Sequence, residues 1–127
     1  MTASLLISII DDDRSVRSGL SNLLQSAGYA TICFESAEEF LNDEALENSD
    51  FVILDFKLKG INGFELIRRL EQSRPSPPVM LISGHGDEDM GKPAISAGAV
   101  VFMRKPIDVD LLLEHIQRVL AKRGGSP

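Results

Sequence analysis

The sequence has a single cysteine, no tryptophan and no apolar run long enough to cross a membrane. Cys33 stands alone among 127 residues, which excludes an intrachain disulfide and a cysteine-based metal site. We predict that it packs in its apolar segment. Apolar stretches fall short of the roughly 20 residues needed to span a bilayer, and the N-terminus lacks the basic region of a secretory signal. We therefore expect a cytoplasmic domain without membrane contact.

Basic residues are also scarce. The chain has 13 Lys and Arg against 19 Asp and Glu, a formal net charge of −6. Domains that bind nucleic acids need clustered basic side chains to displace counterions from phosphates, so direct nucleic-acid binding is not expected. The length fits one domain, and the contents of 43% hydrophobic and 25% charged residues are those of an ordinary globular protein.

Apolar runs of strand length alternate with stretches whose apolar residues recur at helical spacing. Strands that are apolar throughout are typical of parallel sheets covered by helices on both faces. The sequence therefore predicts an α/β domain with five strands and five helices. The predicted strands are residues 5–10, 30–34, 51–54, 79–82 and 100–103.

Capping and stop signals mark the helices. Gly28 is expected to end the first helix, and Ser36 with Glu39 forms a capping-box pattern ahead of a short second helix. Because proline is tolerated at the start of a helix but not in its interior, Pro93 predicts a short fourth helix that begins near Lys92. A mobile loop over residues 84–89 is expected before that helix. The third and fifth helices are predicted over 64–70 and 109–122.

Acidic residues directly follow two predicted strands. Asp11, Asp12 and Asp13 come after the first strand, Asp55 comes after the third, and Lys105 lies just past the fifth. The carboxyl ends of parallel strands share one edge of the sheet, where open α/β sheets bind ligands. Clustered carboxylates resist joint ionisation unless a cation is present. Magnesium suits one or two carboxylates, a backbone carbonyl and retained waters, so we expect Asp11 and Asp12 to hold Mg²⁺.

Phosphoryl chemistry fits the same acids. A carboxylate can act as a nucleophile toward a phosphoryl group when nearby positive charge neutralises the incoming oxygens. Asp55, the single acid on a central strand end, is the expected acceptor, and Lys105 is expected to contact the phosphoryl oxygens. Asp13 more simply caps the first helix.

Four segments together resemble the receiver domains of two-component response regulators, in the same order and at similar spacing. The resemblance covers nearly the whole chain and implies a flavodoxin-like (CheY-like), doubly wound parallel sheet of strand order 2-1-3-4-5. It also implies a receiver domain over residues 1–123, followed by a flexible tail or linker stump over 124–127. The segments are Ile9-Ile10-Asp11-Asp12-Asp13, Leu54-Asp55, Ile82-Ser83-Gly84 and Phe102-Met103-Arg104-Lys105-Pro106.

The resemblance implies a phosphorylation-dependent signalling switch. Asp55 would accept a phosphoryl group from a histidine kinase or phosphotransfer protein in a magnesium-dependent reaction. The domain would catalyse only its own phosphorylation and dephosphorylation and would not be an enzyme in the usual sense. The metal would be held by the acid pair Asp11 and Asp12, with Asp12 the more direct ligand, by Asp55, and by the backbone carbonyl of Lys57.

Further roles follow from the same resemblance. Ser83 matches a hydroxyl that bonds the phosphoryl group, and Phe102 matches an aromatic residue whose rotamer follows that hydroxyl. The pair would couple the site to the surface of the fourth helix, fifth strand and fifth helix, where a homodimer or an effector would bind. Leu111 lies off the apolar, core-facing stripe of the last predicted helix and is a candidate contact on that surface. The bond from Lys105 to the following proline is cis in relatives.

The loop after Asp55 departs from the family pattern. Relatives usually carry Met-Pro where this chain has Leu58 and Lys59, so the loop is expected to be looser. Lys57 and His85 occupy the positions that tune the lifetime of the phosphorylated state in the family. Our hypothesis is that these two side chains shield the phosphoryl group from water.

Two other function classes stay open at this point. A haloacid-dehalogenase-like phosphatase would use Asp11 as nucleophile and Asp13 as acid, but it leaves Asp55 unexplained and the chain is short for a cap domain. A receiver-like interaction module that is never phosphorylated would fit the altered loop at Leu58 and Lys59, although the complete set of acids with Lys105 argues against it.

Overall fold

A computed structural model describes residues 4–58, 60–73, 76–84 and 90–124. Strands and helices alternate along the chain, except that two short helices follow β2. None of the helices in these ranges combines the length and apolar character needed to cross a membrane. The elements are β1 (Leu6–Ile10), α1 (Arg14–Ser26), β2 (Ala30–Phe34), α2 (Ala37–Leu41), α3 (Ala45–Asn48), β3 (Phe51–Asp55), α4 (Gly63–Glu71), β4 (Val79–Ser83), α5 (Gly91–Ala97), β5 (Val101–Arg104) and α6 (Val109–Gly124).

The strands form one five-stranded parallel sheet of order β2-β1-β3-β4-β5. The predicted fold class and strand order are therefore confirmed. The order reverses at β1, which pairs with β2 on one side and β3 on the other. This reversal opens a crevice at the carboxyl ends of β1 and β3, the usual ligand position in open α/β sheets.

Side-chain alternation along the strands divides the hydrophobic core into two clusters, one on each face of the sheet. All five residues of β3 are buried, which explains why its sequence shows no polar alternation. Phe51 and Ile53 point to one face, Val52 and Leu54 to the other. The α5-side core includes Phe34, Phe40, Val52, Leu54, Leu66, Ile67, Leu70, Leu81 and Ala94. The α6-side core includes Ile7, Ile9, Leu20, Leu24, Phe51, Ile53, Met80, Ile82, Leu112 and Ile116.

The described part of the chain has six helices, whereas the sequence predicted five. The predicted cap at Ser36 is present, since its side chain accepts from the Glu39 amide at 3.1 Å. The helix it starts is interrupted after five residues. Asp43 Oδ1 accepts from the Ala45 amide at 2.8 Å, and such a local bond gives the backbone an alternative to continuing the helix. The second predicted helix is therefore split into α2 and α3.

Other boundaries lie within one or two residues of the predictions. Gly28 follows the end of α1 with φ of 99°, a conformation that glycine adopts without steric cost. Helix α5 begins at Gly91 and has Pro93 in its first turn. Residues 85–89 of the predicted mobile loop lie outside the described residues. The prediction that Cys33 is a packing residue was wrong: its side chain is exposed, because β2 is an edge strand.

Candidate functional site

Three carboxylates meet in the crevice between β1 and β3. Asp11 follows β1 and Asp55 ends β3, so the pairing of these strands brings the two side chains together. One oxygen from each of Asp11, Asp12 and Asp55 lies within 4.8 Å of the others. Asp11 and Asp55 are buried, while Asp12 is exposed at the rim. The acids that the sequence singled out are thus neighbours in the fold.

Asp13 has a different position. Its carboxylate accepts from the amides of Ser15 at 2.8 Å and Val16 at 3.3 Å, so it caps α1 as predicted. Its own amide donates to Asp11 Oδ1 at 2.8 Å. Because the Asp13 carboxylate is engaged with the helix, it is poorly placed to serve as the acid of a phosphatase.

Arg17, which the sequence analysis missed, also contacts this turn. Its Nη1 donates to the backbone carbonyl of Asp11 at 2.7 Å, and its side chain is 13% exposed. The sequence offered a weak signal, because an arginine four residues after a helix cap is usually a solvated surface residue. Only the fold shows that it lies against the end of β1.

Lys105 supplies positive charge to the cluster. Its Nζ lies 3.2 Å from Asp11 Oδ2 and 3.8 Å from Asp55 Oδ2. The peptide bond between Lys105 and Pro106 is cis, as the resemblance implied. The backbone amide of Lys105 donates to the Ser83 carbonyl at 2.9 Å, which ties the end of β5 to the end of β4.

The surroundings of Asp55 disfavour its ionised form. Burial, followed by the negative charge of Asp11, raises the pKa of Asp55 from 3.8 to about 6. The Asp12 carboxylate acts in the same direction, while Lys105 and a hydrogen bond from the Lys57 backbone oppose the rise in this pKa. Burial and the negative charges beside Asp55 therefore outweigh the positive charge of Lys105.

Ser83 and Phe102 lie on neighbouring strands next to the cluster. Ser83 ends β4 and is fully buried, with Oγ 3.4 Å from the Gly84 carbonyl oxygen. Phe102 is half-buried and packs against the α5-side core. The Arg104 guanidinium lies 5.8 Å from the centre of the Phe102 ring, within range of a cation–π interaction. A Cβ on Gly91 would stand 3.5 Å from the same ring.

The loop after Asp55 is held by backbone bonds at both ends. The Phe56 amide donates to the Ile82 carbonyl at 2.8 Å, and the Phe56 carbonyl accepts from Gly63 at 3.0 Å. Lys57 is exposed. Leu58, one of the two departures from the family pattern, is partly buried against the α5-side core. The other departure, Lys59, and the lifetime candidate His85 lie outside the described residues.

The donor set of the cluster fits a hard divalent cation. Asp11, Asp12 and Asp55 offer only carboxylate oxygens, the ligand type that magnesium prefers. Lys105 pairs with Asp11 and Asp55 and offsets only part of the charge of the three acids, so a divalent cation would offset the rest. The residues present therefore fit magnesium.

Comparison with known proteins identifies the same pattern. The family model described as "Response regulator receiver domain" matches residues 7–117. The chain is 40% identical over 115 residues to the response regulator protein TodT of Pseudomonas putida strain F1, covering 91% of this chain and 51% of TodT. It is 35% identical over 122 residues to the transcriptional regulatory protein FixJ of Bradyrhizobium diazoefficiens, covering 94% of this chain and 58% of FixJ.

Solved structures agree with the curated relatives. A response regulator receiver domain protein from Clostridium thermocellum superimposes with a TM-score of 0.87 at 27% identity, covering 94% of this chain and 97% of that one. The chain spans about half the length of the curated relatives it matches.

Proposed function

Because the chain belongs to the response regulator receiver domain family, we propose that it is a phosphorylation switch whose phosphoacceptor is Asp55. One observation carries this assignment. Asp55 is a buried carboxylate at the strand switch point, with Lys105 Nζ 3.8 Å away and Asp11 and Asp12 beside it. An anion placed there would meet a cation and a metal-binding acid pair at once, as phosphoryl transfer requires.

The proposed metal site consists of Asp11, Asp12, Asp55 and the backbone carbonyl of Lys57. Magnesium, when bound, would neutralise charge on the phosphoryl oxygens and orient them. The exposed rim position of Asp12 suits the more direct ligand, because a magnesium ion that keeps several waters needs access to solvent.

Several side chains of the domain would have separate roles in the phosphorylation step. A carboxylate oxygen of Asp55 attacks the phosphorus, and the bond to the donor's leaving group breaks. Lys105, whose Nζ already lies between Asp11 at 3.2 Å and Asp55 at 3.8 Å, would contact the transferred phosphoryl group. The Ser83 hydroxyl would donate to a phosphoryl oxygen, and Phe102 would follow its movement. Lys57 and His85 would shield the phosphoryl group from water and set its lifetime.

Partners follow from this switch. We propose a histidine kinase or phosphotransfer protein as the phosphoryl donor, and a homodimer partner or effector at the surface of α5, β5 and α6. Leu111, on α6, is 41% exposed, so a contact there would bury apolar area that the domain alone leaves in water. The domain boundary at residue 123, a flexible tail or linker stump after it and a cytoplasmic location are parts of the same proposal. Helix α6 includes Gly124, and residues 125–127 of the proposed tail lie outside the described residues.

Labelling separates this function from the alternatives. The chain would be incubated with magnesium and acetyl phosphate, trapped and mapped by mass spectrometry, with Asp55→Asn as the matched control. Phosphate on Asp55 in the wild type, lost in the variant, is the expected result. Label on Asp11 would instead support phosphatase chemistry, and the absence of label on any aspartate would support an interaction module that is never phosphorylated.

A further inference from the structure

Arg17 contacts the proposed site but has no role in the function proposed above. It lies on α1, and its guanidinium extends back to the end of β1, where Nη1 donates to the Asp11 carbonyl oxygen at 2.7 Å. The side chain is 13% exposed, so little water competes for the bond. Hydrogen bonds from an ionised donor are shorter and roughly twice as strong as neutral ones. This contact is therefore a specific anchor.

The carbonyl that Arg17 binds belongs to the peptide unit between Asp11 and Asp12. That unit is planar, so fixing its carbonyl oxygen also fixes the direction in which the chain enters Asp12. The Asp11 amide at the other side donates to the Phe34 carbonyl at 3.2 Å. The Asp11 carboxylate is held by the Asp13 amide and by Lys105. Arg17 thus fixes the peptide that joins Asp11, which several hydrogen bonds hold in place, to the exposed Asp12.

A second contact of Arg17 reaches across to the turn after β2. Its Nη2 lies 3.9 Å from Glu35 Oε1, and the Glu35 carboxylate is 70% exposed. An exposed ion pair of this length contributes little. The bond to the Asp11 carbonyl is therefore the contact that matters for the site.

We propose that Arg17 is a positioning residue for the metal site: by fixing the Asp11–Asp12 peptide, it directs the Asp12 carboxylate toward Asp11 and Asp55. The inference rests on the proposed function, since it takes these three acids as magnesium ligands. Groups that orient the ligands of a metal site typically change metal affinity by about 10-fold to 100-fold when they are removed.

The sign of the effect distinguishes positioning from simple charge. Arg17 is a cation near an acidic site, so on Coulomb grounds alone its removal would strengthen magnesium binding. If it positions Asp12, its removal weakens binding in spite of that gain. Arg14 provides the matched control, because it is an exposed arginine three residues earlier on the same helix.

The test is isothermal titration with magnesium chloride of the wild type, Arg17→Met, Arg17→Lys and Arg14→Met, each first shown to be folded by circular dichroism. We expect about a tenfold rise in Kd for R17M, a smaller rise for R17K, and no rise for R14M. A Kd for R17M equal to or below that of the wild type would overturn the inference, as would an equal rise in R14M, because the rise would then not depend on the bond to the Asp11 carbonyl.

A second readout is independent of the metal. In metal-free protein the amide resonance of Asp12 should shift in R17M and R17K but stay in place in R14M, because its peptide loses a charge-assisted bond only in the Arg17 variants. An unshifted resonance would contradict the anchor itself. If the wild type binds no magnesium, the metal site of the proposed function fails, and the Asp12 resonance then reports on the Arg17 anchor alone.

Discussion

Asp55→Asn should stabilise the metal-free domain near neutral pH. The change removes a negative charge from a buried position and keeps nearly the same shape. In the wild type burial and the neighbouring acids raise the pKa of Asp55 from 3.8 to about 6. The shift in the pKa already includes the favourable charge of Lys105, so it also accounts for the contact with Lys105 that the variant loses. The ionised carboxylate therefore costs folding free energy.

The size of the cost follows from the shift in pKa. A rise of roughly two units corresponds to about 3 kcal/mol, and screening by water that reaches the crevice reduces it to on the order of 1–2 kcal/mol. Well below pH 3.8 the carboxyl is protonated in folded and unfolded chains, so it has no cost. As the pH rises toward about 6, the unfolded chain ionises first and stability falls. Above the folded-state pKa of Asp55 the full cost is present.

Urea unfolding followed by far-ultraviolet circular dichroism measures this cost, since the chain has one tyrosine and no tryptophan. In a metal chelator at about pH 7.5, Asp55→Asn should unfold at higher urea than the wild type, and the difference should become very small at about pH 3. Glu114→Gln, the same charge change at an exposed site on α6, should leave the midpoint almost unchanged. Asp55→Asn less stable than the wild type at neutral pH would refute the reasoning.

Three further changes test other parts of the domain. Asp13→Ala removes the cap of α1 and should lower the free energy of unfolding by about 1 kcal/mol, measured by urea unfolding; no loss would show that the cap contributes nothing. Gly60→Ala should destabilise the domain by at least about 1 kcal/mol, because Gly60 has φ of 86°, a backbone conformation in which alanine is strained; a thermal melt unchanged from the wild type would contradict this. Lys105→Met should slow phosphorylation by acetyl phosphate by about 100-fold or more, measured by mass spectrometry; an unchanged rate would remove Lys105 from the step.

The fold could be predicted because its signals are local and agree with one another. Apolar runs without alternation indicate a doubly covered parallel sheet, and the bounds of β3 and α6 differ from the prediction by only one or two residues. The split between α2 and α3 was missed because it depends on the local bond that Asp43 makes to Ala45, which competes with a favourable helical pattern. Cys33 was misjudged because edge and central strands look alike in sequence.

Part of the site could also be predicted from local sequence signals. Strand ends converge at one edge, so Asp11, Asp55 and Lys105 could be assigned to one place before any coordinates were known. Arg17 could not, because its contact with the Asp11 carbonyl requires knowing how α1 lies against the end of β1. The direction and size of the pKa shift at Asp55 also depend on burial and on neighbours that only the fold brings together.

The two cores on opposite faces of the sheet support different helices of the proposed partner surface. Alternation along β4 turns Ser83 to the same face as Val79 and Leu81, and Phe102 packs on that face too. Helix α6 rests on the opposite core. Phe102 and α5 thus share one core, while α6 packs on the other. A partner that contacts both α5 and α6 would therefore respond to a change in the position of one helix relative to the other. It would not respond to a motion in which the two helices move together.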